Sequence, residues 1–120
     1  MYRFVNLTPH AVTVFREDGS SFTIEPSGKV FRLRERDVVT ANIDGVDVVR
    51  RQFYIAPEDL ELFNDPSAVY IVSLPALMGL ATITEPDLSQ FWIVAPDTGS
   101  GAVRDEKGNI IGTRRFVILP

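Results

Sequence analysis

The sequence predicts an α+β domain: a mostly antiparallel curled sheet or partly open barrel, with one βαβ crossover and one or two short helices. Three observations lead there. Short β-branched and aromatic runs recur along all 120 residues, closed by Gly, Pro, Asn, Asp or Ser. Glu17-Asp18-Gly19-Ser20 and Asp44-Gly45 sit between strand-like segments, as hairpin turns do. The stretch from Ala68 to Thr98 reads strand, helix, strand, and a connection of that length joins parallel strands.

Residues 2–5 read as a first strand, broken at Asn6-Leu7-Thr8-Pro9-His10, where Asn, Thr and Pro favour a turn. Residues 11–16 resume as a strand and residues 21–25 return antiparallel, before Pro26-Ser27-Gly28 turns the chain again. Residues 29–34 alternate strictly, with Phe31 and Leu33 on one face and Val30, Arg32 and Arg34 on the other, so the basic face is solvent or a site. Residues 38–43 and 46–55 flank Asp44-Gly45, and residues 57–63 carry the acidic first turn of a short helix. Val69-Tyr70-Ile71-Val72 is a strand buried on both faces. Ser73 caps a helix over residues 74–83, Pro75 sits in its tolerated first turn, and Glu85-Pro86-Asp87 ends it. Trp92-Ile93-Val94-Ala95 is the second buried strand, closed by Pro96-Asp97-Thr98. After the loop Gly99-Ser100-Gly101, Val103-Arg104-Asp105 and a closing strand over residues 114–119 read as a hairpin about Glu106-Lys107-Gly108-Asn109.

Length and composition describe one domain, without internal repeats. Mean hydropathy is +0.08 and no apolar run reaches the roughly 18–20 residues of a membrane span. The opening lacks the basic region, apolar core and cleavage signal of a secretory peptide, so a cytoplasmic setting is expected. The absence of Cys excludes disulfides, thiolate metal sites and Cys nucleophiles, and the single His10 cannot form a His-rich metal site, so no cofactor is expected. A net charge of -4 argues against general nucleic-acid binding. Ten of the twelve basic residues are Arg, whose planar fork suits phosphate or carboxylate; the alternatives are compositional bias or a local anion site.

In a sheet with a parallel crossover, ligands gather outside the carboxyl ends of the strands, which directs attention to Thr8, His10, Arg32, Ser73, Asp97, Thr98 and Arg104. The His10 imidazole can accept or donate a proton, or bond a phosphate or a base edge. Thr8 and Asn6 can face a ligand or close their own turn, and Asn6 reads as structural. Ser73 and Thr98 are hydroxyl donors, Asp97 suits a ribose hydroxyl or base amine, and Arg32 and Arg104 suit phosphate. Turn formation, helix capping and surface ion pairing are the competing structural roles. Tyr70 and Trp92 are expected in the core. Arg50-Arg51 and Arg114-Arg115 point to opposite faces of their strands, which suits solvent or a subunit interface, so a homo-oligomer is among the forms the sequence allows. Asp97-Thr98-Gly99-Ser100 and Ile110-Ile111-Gly112 resemble the two signatures of aspartic peptidases, but they lie too close together to enclose a flap.

Asn6-Leu7-Thr8-Pro9-His10, with Pro26-Ser27-Gly28 and Arg32, Val72-Ser73, and Pro96-Asp97-Thr98 before a Gly-containing hairpin, resembles a family of small phage, prophage and bacterial proteins opening with Asn-Leu-Thr-Pro-His. The likeness spans nearly the whole chain. The family's Arg and Asp before the late strand are replaced here by Gln90 and Trp92, so no role is carried over to them. The resemblance implies a setting, an accessory protein of a phage or mobile element, and no activity. Three functions are therefore expected in order: sequestration of a small anionic, nucleotide-like ligand such as a host immune signal; a hydrolase or transferase using His10 and Asp97; and a structural or protein-interaction module.

Overall fold

The computed structural model describes residues 2–119. In chain order it holds β1 (Arg3–Asn6), β2 (Val12–Phe15), β3 (Ser21–Ile24), β4 (Arg34–Ile43), β5 (Val46–Tyr54), α1 (Pro57–Leu60) and β6 (Ala68–Ile71). There follow α2 (Leu74–Leu80), β7 (Trp92–Pro96), β8 (Ala102–Arg104), β9 (Ile110–Thr113) and β10 (Phe116–Ile118). The fold is α+β: mostly strands, two short helices, and no sheet closed into a barrel among the described residues. Antiparallel pairings (β2–β3, β4–β5, β7–β10, β8–β9) outnumber parallel ones (β1–β6, β6–β7, β2–β9).

The first sheet has the order β1-β6-β7-β10, the second β3-β2-β9-β8, and β4 and β5 form a two-stranded sheet of their own. All four residues of β6 are buried, as a strand covered on both faces requires. Tyr70, Val72, Ile93 and Ala95 face the helices, with Leu7, Phe31, Phe63, Leu77 and Leu80. Val69, Ile71 and Val94 face the second sheet and meet Val14 and Ile24, with Phe4, Phe22 and Phe116 alongside. Ser73 caps α2 as the sequence suggests, its Oγ accepting from the Ala76 N–H at 3.3 Å.

The β4–β5 hairpin projects from this body. Its turn places Asp44 and Gly45 at φ of 51° and 83°, the left-handed pair that a two-residue hairpin needs. Every residue of β4 is exposed, and every residue of β5 except Phe53. The base is anchored on both sides. Phe53 and Leu33 lie against α2 where Gly79 leaves room, since a Cβ there would collide with Leu33 Cδ2. Arg34 reaches Glu58 at 3.6 Å and Asp59 at 3.8 Å on α1. The radius of gyration, 16.8 Å, exceeds the roughly 14 Å of a compact domain this long, as a projecting arm requires.

Several sequence expectations need correction. Residues 29–33 form no strand: the Phe31 N–H bonds the Leu7 carbonyl at 2.9 Å, a loop partner, so the burial alternation survives in Phe31 and Leu33 without a ladder. The C-terminal hairpin joins β8 to β9, and the closing strand β10 crosses to the other sheet and pairs with β7. β1 also runs parallel to β6, which makes three adjacent parallel strands. The helix expected over residues 74–83 ends at Leu80, and the one over 57–63 is a single turn. Trp92 is not core. It opens β7 at the sheet's end, 46% exposed, and packs edge-on against Tyr2 at 6.1 Å between ring centroids.

Leu77 is fully buried between α2 and the first sheet, so Leu77→Ala should cost about 2–5 kcal/mol in urea unfolding. Val39→Ser on the arm should change the stability of the isolated chain by less than about 0.5 kcal/mol. Equal losses would mean that the arm belongs to the core.

Candidate functional site

Because Asn6, Ile71 and Val94 are in register across three parallel strands, the chain leaves β1, β6 and β7 at one edge of the sheet. Thr8, Ser73 and Asp97 follow those exits directly. At the backbone level the strand ends converge, and the side chains divide into four separate environments.

The first is a buried knot around Asn6, which is 1% exposed. Its Oδ1 accepts from the Thr8 N–H at 3.0 Å and from Thr8 Oγ1 at 2.7 Å, and its Nδ2 donates to the carbonyls of His10 at 2.8 Å and Ile24 at 3.1 Å. Thr8 is itself buried, and its hydroxyl also lies 2.9 Å from the His10 carbonyl. Its single proton is thus spent on the turn and does not face a ligand.

The second centres on Asp97, also buried. Oδ1 accepts from the Gly99 N–H at 2.8 Å, and Oδ2 accepts from the Gly101 N–H at 3.1 Å and from Arg115 Nε at 2.7 Å. The Arg115 guanidinium and then the Gly99 N–H hold the carboxyl below its usual range, against the opposing effect of burial. A Cβ at Gly101 would stand 2.7 Å from Asp97 Oδ2 and 2.9 Å from Arg115, so the loop approaches this closely only with Gly there. Thr113 completes the knot: its hydroxyl lies 2.8 Å from the Arg115 carbonyl and 3.0 Å from that of Asp97.

The other two environments are open clefts. His10 and Thr98 line one of about 400 Å³ with Ile110, Ile111 and Gly112. Arg32 and Ser73 line another of about 320 Å³ at the foot of the arm, beside Glu35 and Phe53. Arg32 is exposed and takes part in none of the ion pairs formed among the described residues. Arg104 joins neither cleft: its Nη1 donates to the Gly108 carbonyl at 2.7 Å and braces the β8–β9 turn. Arg114 and Arg115, expected on opposite faces of a strand, lie in the bend between β9 and β10, and Arg115 is the counter-ion of Asp97, whose Asp-x-Gly-x-Gly spacing is the signal of a carboxylate collecting backbone N–H groups. No cluster of three potential metal-ligating side chains occurs among the described residues, and no helix there is long and apolar enough to cross a membrane.

No protein-family model, curated protein or solved structure matches this chain.

Asn6→Ala takes the acceptor from the buried Thr8 N–H and the side-chain donor from the Ile24 carbonyl, and should cost about 2–3 kcal/mol in urea unfolding. Asp97→Asn tests the second knot through pH. The folded carboxyl titrates below the unfolded value of 3.8, so its contribution is present above that pH and is lost as pH falls through the folded value. The variant should therefore unfold earlier than wild type at pH 7, and the gap between the two urea midpoints should close below pH 3.8. A gap unchanged at pH 3 would contradict the ion pair.

Proposed function

We propose that this chain is a non-enzymatic interaction module whose working surface is the β4–β5 arm. The observation that carries the reading is where apolar surface is exposed. Seven of the thirteen large exposed hydrophobic residues among the described residues lie on the arm: Val38, Val39, Ile43, Val46, Val48, Val49 and Tyr54. They occupy both faces, and Ile43 and Val46 at the tip are 63% and 64% exposed. A lone two-stranded ribbon is marginal in water, and its unpaired edges invite another strand. A covered ribbon resolves both problems. The hydrolase reading is less well supported, because it needs Asp97 to orient His10 and both Asp97 oxygens are committed to Gly99, Gly101 and Arg115. The likeness of residues 6–10 to small phage and prophage proteins supports an accessory role in a mobile element.

One observation favours a second reading, the binding of a small anionic, nucleotide-like ligand. Arg32 is unpaired in a cleft beside the Ser73 hydroxyl, an arrangement suited to a phosphate. In that case ADP or ADP-ribose at a hundred times its dissociation constant should stabilise the chain by about 2.7 kcal/mol, and Arg32→Ala should remove the thermal shift. Intact ligand recovered from the complex indicates sequestration, and a product indicates turnover.

The arm reading is tested by native mass measurement of wild type and of Val39→Ser/Val46→Ser/Val49→Ser, each purified and in host lysate. Wild type should occur in an assembly above its 13.4 kDa chain mass, and the triple variant should remain at 13.4 kDa with its melting temperature kept. An assembly that survives the triple substitution would place the working surface elsewhere.

A further inference from the structure

We propose, resting on the arm reading, that the arm's partner is a second copy of this chain, and that the two copies join β5 to β5 in antiparallel register with Val49 opposite Val49 on a two-fold axis. The first step is the choice of edge. β4 is interrupted by a bulge between Val39 and Ala41, where Thr40 Oγ1 donates to the Val48 carbonyl at 3.2 Å. Bulges blunt an edge for pairing. β5 runs over nine residues without a bulge of its own or a proline, and so is the open edge.

The second step is the register. A two-fold axis perpendicular to the ribbon keeps each face continuous, so only residues on the same face of β5 can oppose one another. Centring on Arg50 or Arg51 sets that arginine against itself. Centring on Val48 pairs only residues 46–50 and leaves Asp47 opposite Val49. Centring on Val49 pairs residues 46–52 and sets Asp47 of each copy opposite Arg51 of the other, twice, with no like charges opposed. Opposite charges directly across an antiparallel pair are favourable, and like charges are not.

The third step is what the four-stranded sheet would look like. Within the arm, Arg51 already bonds Asp37 at 2.9 Å and stands opposite it, while Val39 stands opposite Val49. In the proposed register, Arg51, already paired with Asp37 and Glu35 of its own arm, gains the partner's Asp47 on its other side. The middle row becomes four valines: Val39, Val49, the partner's Val49 and the partner's Val39. On the opposite face, Arg50 comes beside the partner's Val48 and Gln52 beside the partner's Val46, so polar stems of one copy cover the aliphatic tip of the other. A two-fold contact must be complementary to itself, and this edge is.

Light scattering of the full chain at about 100 µM, where contacts of micromolar affinity are saturated, should give twice 13.4 kDa. Asp47→Arg alone and Asp37→Arg/Arg51→Asp, the second of which keeps an ion pair across its own arm, should each be monomeric, since either homodimer opposes like charges at both sites. Mixed one to one they should form a heterodimer, because every pair is opposite again. As the chain has no cysteine, Val49→Cys adds one thiol, which should cross-link two copies under mild oxidation. Val46→Cys, opposite Gln52 in this register, should not. A dimer kept by both charge variants, or variants that fail to recombine, would overturn the register, as would equal cross-linking at 46 and 49. A wild type that is monomeric alone but joins a different protein through the arm would overturn the second-copy assignment and leave the arm reading standing.

Discussion

The amide of Asn6 holds the two main sheets in their relation to each other. It sits at the end of β1, in the first sheet, and its two N–H bonds reach the carbonyls of His10, where the chain enters β2, and Ile24, where β3 ends. Its carbonyl oxygen folds the Thr8 turn back on itself, and its backbone carbonyl receives the Ser27 N–H at 2.9 Å. One buried side chain thus satisfies groups from the ends of three strands. Hydrophobic contact between Ile71, Val94, Val14 and Ile24 is non-directional, and the amide supplies the registration that contact alone lacks.

Asp97 plays the equivalent part at the other side of the same edge. It gathers the loop after β7 and draws Arg115 in just where the chain passes from β9 in one sheet to β10 in the other. The polar residues that follow β1 and β7 are therefore largely consumed in holding the sheets together. What remains for a partner lies outside these knots: the two open clefts and, above all, the arm.

The sequence exposes some of this and hides the rest for physical reasons. The β6–α2–β7 unit is legible because two-sided burial leaves a continuous apolar run and a cap leaves a Ser before the helix. Asp44-Gly45 is legible because few other residues accept two left-handed conformations in succession. The parallel pairing of β1 with β6 is not, since it joins segments more than sixty residues apart and four-residue strands carry little pattern. β9 is missed because its residues pair weakly with β2, through Val14 and Thr113, and merge in sequence with the closing strand. Of the candidate site, the positions of Thr8, Ser73 and Asp97 at strand exits follow from the apolar runs before them. Their hydrogen-bond partners do not, because those come from residues as distant as Arg115.

The arm shows a similar division. Its valines include two adjacent pairs, Val38-Val39 and Val48-Val49, that reach both faces, and only the structure shows that neither face is covered by the body of the chain. The central claim is that this ribbon works as a covered surface. Hydrogen–deuterium exchange followed residue by residue at rising protein concentration tests it most directly. Outward-facing β5 amides should exchange more slowly as concentration rises while β6 and α2 amides keep their rates, and arm amides that exchange like a free ribbon at every concentration and in host lysate would contradict the account.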